Sequence, residues 1–228
     1  IEERVFETVP LNNALDMVPV PGLEQWLFVE NGGKIWTVPN KTDTTRRNIA
    51  IDLKAFQLNT TPGFSVEITG DQGGDDIRGS VINDVIYGGD GDDDINGGDA
   101  NDILLGGFGD DLLKGSDGHD VLEGEEGDYD RLFGGCGNDK LGDKDGVRTA
   151  RGADGNDKIV ITFRPGWTLN GKTKSVGLIV GGADADTFEI YNQGSSALTV
   201  TLEGDLDNGY NDSGDQAFFT GAFMEAGT

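Results

Sequence analysis

The sequence predicts an all-β protein, a parallel β-roll with a small N-terminal β domain and a C-terminal β cap. Two observations predict this fold class. A nine-residue unit, Gly-Gly-x-Gly-x-Asp-x-apolar-x, recurs from residue 70 to residue 160 of the 228-residue chain, and so regular a period is typical of a solenoid. The chain also has 38 glycines and a formal net charge of −25, with glycine and aspartate at fixed places of the unit. We therefore expect three parts: a cap domain at 1–69, the roll at 70–160, and its continuation with a C-terminal cap at 161–228.

The residue types of the unit explain its structure. The first six places need a tight loop with its carbonyls turned inward, and glycine permits the positive φ angles that such a loop requires. The last three places form a short strand, in which only the eighth side chain points to the inner face. Two units therefore make one turn of the roll, and each loop stacks on the loop two units later. A hard cation fits between stacked loops, bound by carbonyl and carboxylate oxygens.

The copies of the unit differ in how closely they follow it. The clearest are Gly88–Asn96, Gly106–Lys114, Gly134–Gly142 and Gly152–Val160. The sixth place is held by Asp75, Asp84, Asp93, Asp102, Asp111, Asp120, Asp139 and Asp157, and the eighth by Ile77, Ile86, Ile95, Leu104, Leu113, Leu122, Leu141 and Ile159. Two copies deviate. Gly124–Phe133 has one extra residue, which puts Asp130 and Leu132 in these roles, and Asp143–Arg151 has Arg148 at its sixth place.

These repeats resemble the RTX nonapeptide of secreted bacterial toxins, lipases and serralysin-type proteases, whose fold is a calcium-loaded parallel β-roll. In that family a site combines the carbonyls of places two and four and the sixth-place Asp of one loop with the carbonyls of places one and three and the Asp of the loop above. Carried over, about seven Ca²⁺ ions would be bound. Arg148 would end the first row of sites, with its guanidinium standing in for a cation. The pairs are Asp75–Asp93, Asp93–Asp111 and Asp111–Asp130 on one side, and Asp84–Asp102, Asp102–Asp120, Asp120–Asp139 and Asp139–Asp157 on the other.

The resemblance also implies a full set of metal ligands. The carboxylates are the nine sixth-place aspartates of 70–160, together with Asp186 in a worn copy, Gly181–Glu189. The remaining ligands lie in the loops: Asp71, Gly73, Gly88, Gly89, Asp90, Gly91, Gly97, Gly98, Asp99, Ala100, Gly106, Gly107, Phe108, Gly109, Gly115, Ser116, Asp117, Gly118, Gly134, Gly135, Cys136, Gly137, Gly152 and Asp154. Because the stacked aspartates repel one another and the inward apolar side chains are few, we expect the roll to fold only with calcium.

The N-terminal part has a different composition, with fewer glycines. Gln25–Glu30 and Lys34–Val38 flank Asn31-Gly32-Gly33, which predicts a β-hairpin. Asn48–Leu53 and Ser65–Thr69 are further predicted strands. Residues 20–53 resemble the first blade of glucose/sorbosone-dehydrogenase-type propellers. The other blades, which carry that family's cofactor and catalytic histidine, have no counterpart in this chain, so the resemblance does not imply catalysis.

The C-terminal part continues the roll less regularly. Lys158–Phe163, Ser175–Val180 and Ala197–Leu202 are predicted strands, with a loop inserted between the first two. Carboxylates between Asp205 and Asp212 have an EF-hand-like spacing without the closing Glu. The final apolar segment, Phe218–Met224, is expected to cap the open end of the roll or to contact another subunit.

The amino-acid composition limits the functions that this chain can have. So acidic a surface argues against nucleic acid as a partner, and no apolar run is long enough for a membrane span. The only histidine, His119, and the only cysteine, Cys136, both lie in repeat loops, and no nucleophile motif is present. Since the chain begins with Ile1, we expect a processed chain or a fragment. The favoured function is a secreted or cell-surface calcium-binding protein with a structural, adhesive or assembly role, whose partners are other copies joined head-to-tail, another surface protein or a glycan. The alternative is a secretion or folding module of a larger extracellular protein or enzyme, and an enzyme in its own right is disfavoured.

Overall fold

The computed structural model describes residues 14–19, 25–30, 34–39, 50–52, 66–70, 72–127, 129–165, 178–194, 200–203 and 215–221. Its elements are all strands, numbered in chain order: β1 Ala14–Pro19, β2 Gln25–Glu30, β3 Lys34–Pro39, β4 Ala50–Asp52, β5 Val66–Thr69, β6 Asp76–Arg78, β7 Asp84–Asp90, β8 Asp94–Asp99, β9 Ile103–Phe108, β10 Leu112–Asp117, β11 Val121–Glu126, β12 Asp130–Cys136, β13 Lys140–Asp143, β14 Val147–Asp154, β15 Lys158–Phe163, β16 Leu178–Ala183, β17 Thr187–Asn192, β18 Thr201–Glu203 and β19 Gln216–Thr220.

The strands alternate between two sheets. From β4 onward the even-numbered strands form one sheet in the order β18-β16-β14-β12-β10-β8-β6-β4, and the odd-numbered strands form the other, β1-β2-β3-β5-β7-β9-β11-β13-β15-β17-β19. Every pairing is parallel except β1 with β2 and β2 with β3. The predicted all-β parallel roll is confirmed, because from β4 onward each strand pairs with strands two positions away in the chain.

Two apolar ladders fill the space between the sheets. Pairing places Ile77 beside Ile95 and Leu113 beside Leu132 in one sheet. The other sheet has a corresponding ladder, which contains Leu104 beside Leu122. All the eighth-place residues of the repeats are between 0 and 1 % exposed: Ile77, Ile86, Ile95, Leu104, Leu113, Leu122, Leu132, Leu141 and Ile159. The expected inward direction of these side chains is therefore confirmed.

Parallel stacking extends past the nonapeptides at both ends. At the start, β4 pairs with β6 and β5 with β7. The predicted hairpin is formed by β2 and β3, with Phe28 opposite Trp36, and β3 then pairs parallel to β5. At the other end, β17 carries the worn copy and pairs with β19. The N-terminal strands therefore continue both sheets of the roll, β4 in one and β1, β2, β3 and β5 in the other.

Several sequence predictions fall outside the described residues. They include Asp71, most of the loop inserted after Phe163, the acidic segment from Asp205 to Asp212, and Phe223 with Met224. Among the strands predicted near the C terminus, β15 has the expected bounds, whereas β16 and β18 are described only from Leu178 and Thr201 onward. No element within the described ranges is a helix capable of crossing a membrane.

Candidate metal centre

The sixth-place aspartates lie inside the roll. In each repeat the Asp stands two residues before the buried apolar residue, so strand alternation turns both side chains to the same face. Asp111 and Asp130 are 0 % exposed and Asp102 is 1 % exposed. The whole set lies between 0 and 3 %: Asp75, Asp84, Asp93, Asp102, Asp111, Asp120, Asp130, Asp139, Asp157 and Asp186. Carboxylates so deeply buried require compensating partners.

Backbone hydrogen bonds align these aspartates in two rows. In the first row the amide of Asp75 donates to Oδ1 of Asp93 at 2.7 Å. The same bond, at 2.8 and 2.7 Å, joins Asp93 to Asp111 and Asp111 to Asp130. Each carboxylate is thus held by the amide of the loop two repeats earlier. The structure brings together the pairs that the spacing placed on this side of the roll.

The second row extends through Asp186, which the sequence offered as a further ligand, and one residue beyond it. It contains the predicted pairs Asp84–Asp102, Asp102–Asp120, Asp120–Asp139 and Asp139–Asp157, each joined at 2.8 Å. It continues through Asp157 to Asp186 at 2.8 Å, and through Asp186 to Asp215 at 2.9 Å. Asp215 was missed, because no glycine stands at the first, second or fourth place of its unit. The detectable signal is the triplet Asp215-x-Ala217, which retains the sixth and eighth places.

In several of these carboxylates the second oxygen has no donor. While Oδ1 accepts the amide, Oδ2 is buried and has no hydrogen-bond partner in Asp93, Asp102, Asp111, Asp120, Asp139, Asp143 and Asp157. A buried, charged acceptor without a partner is strongly unfavourable. Each of these oxygens is therefore directed at a place where a proton or a cation is needed.

Backbone carbonyls converge on the same places. A Cβ atom added at Gly88 would meet Oδ2 of Asp93 and would lie 2.5 Å from the carbonyl oxygen of Gly106. At Gly134 it would meet Oδ2 of Asp139 and lie 2.8 Å from the carbonyl oxygen of Gly152. The first place must be glycine because this space belongs to oxygen atoms. Two loops thus contribute a carboxylate and a carbonyl oxygen to each cradle.

The loop backbone has the conformation that the unit predicts. Positive φ angles fall at places two and four, including +117° at Gly107 and +130° at Gly109. Ala100 at a fourth place, and Ser116 and Ala153 at second places, adopt φ of 78°, 90° and 96° although they are not glycine. Third-place side chains face solvent: Asp90, Asp99, Phe108, Asp117, Cys136 and Asp154. These residues could therefore contribute to a site inside the roll only through their backbone carbonyls.

Burial weakens the acidity of the aligned carboxyls. Burial, together with neighbouring carboxylates and against the lowering effect of an amide hydrogen bond, raises the pKa of Asp102, Asp111 and Asp157 to about 8. Burial likewise raises the pKa of Asp84, Asp93 and Asp120 to about 6. The protein groups alone thus disfavour the charged form, as expected where a cation completes the site.

This donor set fits calcium. Ca²⁺ prefers six to eight oxygen ligands, both carboxylate and carbonyl, and both kinds meet at the buried cradles. Among the residues described, no three His, Cys, Asp or Glu side chains form a group that could hold a metal ion. Side chains alone therefore cannot supply the coordination, and the backbone carbonyls of the glycine-rich loops would complete it.

The expectation for Arg148 was wrong. Its side chain is exposed, because the register shifts between Asp130 and Arg131, so that Val147 stands opposite Asp130 and Thr149 opposite Arg131. Arg148 is the unpaired residue of this bulge, which turns its guanidinium away from the row. Burial favours this register, because it places the apolar side chain of Val147 inside the roll, where it is 0 % exposed.

A second ladder was also missed. At place five the amide of His119 donates to the side-chain oxygen of Asn101 at 2.8 Å, and Nδ1 of His119 accepts the amide of Asn138 at 2.7 Å. Asn101 bonds in the same way to Asn83, and Asn156 to Asn138. The recurrence of Asn at this place was the available signal. His119 thus holds two loops together through an unprotonated Nδ1.

Comparison with known proteins supports the nature of the repeats. A family model described as the RTX calcium-binding nonapeptide repeat (4 copies) matches residues 69–104, 97–129 and 105–141. These matches cover the centre of the roll, where the glycine cradles and both rows of aspartates lie. No curated protein matches the chain, and no solved structure matches it.

Proposed function

We propose that this chain, which carries RTX calcium-binding nonapeptide repeats folded as a parallel β-roll, is a secreted or cell-surface structural protein whose folding is driven by Ca²⁺. One observation carries the proposal: in the two rows of buried aspartates, residues such as Asp93, Asp111 and Asp139 present an Oδ2 without a hydrogen-bond donor beside inward carbonyls. The repeats are a calcium-binding motif. We also propose how many ions are bound, which residues hold them, and that the protein lies outside the cell.

In the folded chain the backbone orients the oxygen ligands of each site. The amide of one loop fixes Oδ1 of the Asp two repeats on, so that Oδ2 points into the cradle. The positive φ at places two and four turns the loop carbonyls towards the same region. Calcium, when bound, supplies the positive charge that offsets the buried carboxylates. Counting the hydrogen-bonded pairs of aspartates as far as Asp186, the two rows provide for about eight ions by the rule of one ion per stacked pair.

The chemistry favours a location outside the cell. Calcium-binding modules that work at roughly 10⁻⁴–10⁻³ M belong to the extracellular environment, and proteins with RTX repeats are typically extracellular. The paired carboxylates that might otherwise suggest acid–base catalysis are already engaged in the two rows. RTX repeats are typically structural, so the proposed role is mechanical: a stiff, calcium-dependent rod that carries or joins other surfaces.

A calcium titration tests the proposal. Protein stripped of metal on a chelating resin should show little β signal in far-UV circular dichroism at pH 8 and gain it as millimolar Ca²⁺ is added. Mg²⁺ at the same concentration is the control, since its demand for near-octahedral geometry at short distances suits these loops poorly. Native mass spectrometry should count several ions per chain. A stripped chain that is fully folded at pH 8 would contradict the proposal.

Self-association is a second candidate, favoured by β19. This strand ends the eleven-stranded sheet as far as the structure is described, and it exposes Phe218 by 55 % and Phe219 by 50 %. Such an edge invites pairing with another chain, and a head-to-tail contact would propagate along the roll axis. Sedimentation velocity in calcium should show larger species with rising concentration, and Phe218→Lys should reduce them. If the protein is a monomer at every concentration, the remaining functions are binding to another surface protein, binding to a glycan, or service as a module of a longer protein.

A further inference from the structure

The copy that lacks a sixth-place Asp contains another buried carboxylate. Asp143 occupies the first place of this copy, where the clearest repeats have glycine, and it is 4 % exposed at the end of β13. Its Oδ1 accepts the amides of Asp145 at 2.8 Å and Gly146 at 2.9 Å. Those two bonds fix the carboxylate plane and turn the other oxygen into the roll. Oδ2 is buried and has no hydrogen-bond partner.

This Oδ2 lies where other repeats present a carbonyl. A Cβ atom added at Gly124 would lie 2.5 Å from Oδ2 of Asp130 and 2.5 Å from Oδ2 of Asp143. At Gly106 and Gly134 the position of the second oxygen is taken by the carbonyl of the first-place glycine two repeats later, at 2.8 Å in both cases. Gly124 and Asp143 have the same relationship in the chain. The carboxylate thus replaces a carbonyl oxygen in an otherwise similar cradle.

The basic side chains next to Asp143 in the chain are directed away from its carboxylate. Arg148 is exposed on the other side of the bulge. Lys144 lies near the surface, with its Nζ 3.7 Å from Oε1 of Glu125 and 3.8 Å from Oε1 of Glu126. Burial, and then the carboxylate of Asp130, hold the pKa of Asp143 well above its usual range. Two converging buried carboxylates require either a shared proton or a cation.

We propose that Asp143 and Asp130 bind a further divalent cation, Ca²⁺, which closes the first row of sites at the repeat whose sixth-place Asp is missing. The inference rests on the proposed function, since it assumes that the roll binds calcium. A cation is favoured over a shared proton because the two oxygens beside Gly124 occupy the same positions as the two oxygens beside Gly106 and Gly134. Replacing a neutral carbonyl by a carboxylate adds charge, which strengthens the binding of a hard cation.

The test compares Asp143→Asn with Asp145→Asn. Both variants remove one negative charge from the same turn, but the Asp145 carboxylate bonds outward to Arg164 at 3.2 Å. Native mass spectrometry of the full chain in millimolar Ca²⁺ should find one ion fewer per chain in Asp143→Asn than in wild type, and an unchanged number in Asp145→Asn. The melting temperature in calcium should fall for Asp143→Asn by more than for the control.

The direction of the change in melting temperature keeps the test decisive even if Asp143→Asn folds poorly. If no cation binds, removing a buried charge beside Asp130 relieves repulsion, so Asp143→Asn should melt at the wild-type temperature or higher. A variant that melts lower, or fails to fold in calcium while Asp145→Asn folds, supports the site. An unchanged ion number or an equal or raised melting temperature overturns the site alone, leaving the proposed function intact. Wild-type protein that binds no calcium would overturn both.

Discussion

Without calcium, the roll should be stabilised by acid. The carboxyls of Asp102, Asp111 and Asp157 have a pKa of about 8 in the folded chain, against 3.8 for an ordinary Asp. Between these two values the folded state holds more protons than the unfolded state. The free energy of unfolding therefore falls as the pH rises through that range, and it recovers as the pH falls. This direction is opposite to that of a salt-bridged aspartate, whose pKa is lowered by folding.

The magnitude follows from the shifts. Asp102, Asp111 and Asp157 are 1, 0 and 2 % exposed, so solvent screening does not reduce the effect much. At about 1.36 kcal/mol per pKa unit, each such group disfavours folding by about 5 kcal/mol at pH 8 and by about 2 kcal/mol at pH 5. Three of them at pH 8 match or exceed the roughly 5–15 kcal/mol that stabilises an ordinary domain. We expect the metal-free chain to be unfolded at pH 8 and to regain β structure near pH 5.

Circular dichroism of resin-stripped protein between pH 8 and pH 5 measures this dependence. The lower limit keeps the chain above its isoelectric point of about 4.1, where precipitation would interfere. The same scan in millimolar Ca²⁺ is the control and should slope the other way, because protons then compete with the ion for the carboxylates. If the metal-free spectra at pH 8 and pH 5 are identical, the buried carboxyls do not control folding and the reasoning fails.

Two further predictions follow from the hydrogen-bonded rows. Asp111 lies between Asp93 and Asp130 in its row, whereas Asp75 stands at the start of the same row, so Asp111→Ala should lose more bound calcium and more thermal stability than Asp75→Ala. Equal losses, measured by native mass spectrometry and thermal melting, would contradict the stacking of each loop on the loop two repeats later. His119→Ala removes the acceptor of the Asn138 amide and should lower the free energy of unfolding by about 1 kcal/mol. His119→Asn keeps a side-chain acceptor and should retain most of the wild-type stability. Chemical denaturation in calcium measures both variants. Equal stability of the two variants would exclude a role for the place-five ladder.

The sequence predicted the parts of this fold that depend on local chemistry. The eighth-place side chains are buried because strand alternation allows no other face, and first-place glycines such as Gly88 are required because a Cβ would occupy the space of an oxygen. The bulge at Val147 and Arg148 was not predictable in this way. It depends on a competition between burying valine and burying arginine, which is decided by the pairing with β12. The proposed role of Asp143, which lies in the same copy, was likewise not predicted from the sequence.

The hydrogen bonds also determine how the sites depend on one another. Since Oδ1 of each aspartate is oriented by the amide of the preceding loop in its row, as with Asp102 and Asp120, a loop that unfolds releases the carboxylate of its neighbour. Each proposed ion would therefore be bound more tightly when the adjacent loops are already ordered. Repeat structures with such nearest-neighbour coupling fold as a one-dimensional array that propagates from an ordered end. In this chain β3 pairs with β5 and thereby supplies an ordered strand ahead of the first nonapeptide. We therefore expect the N-terminal strands to favour nucleation of the roll.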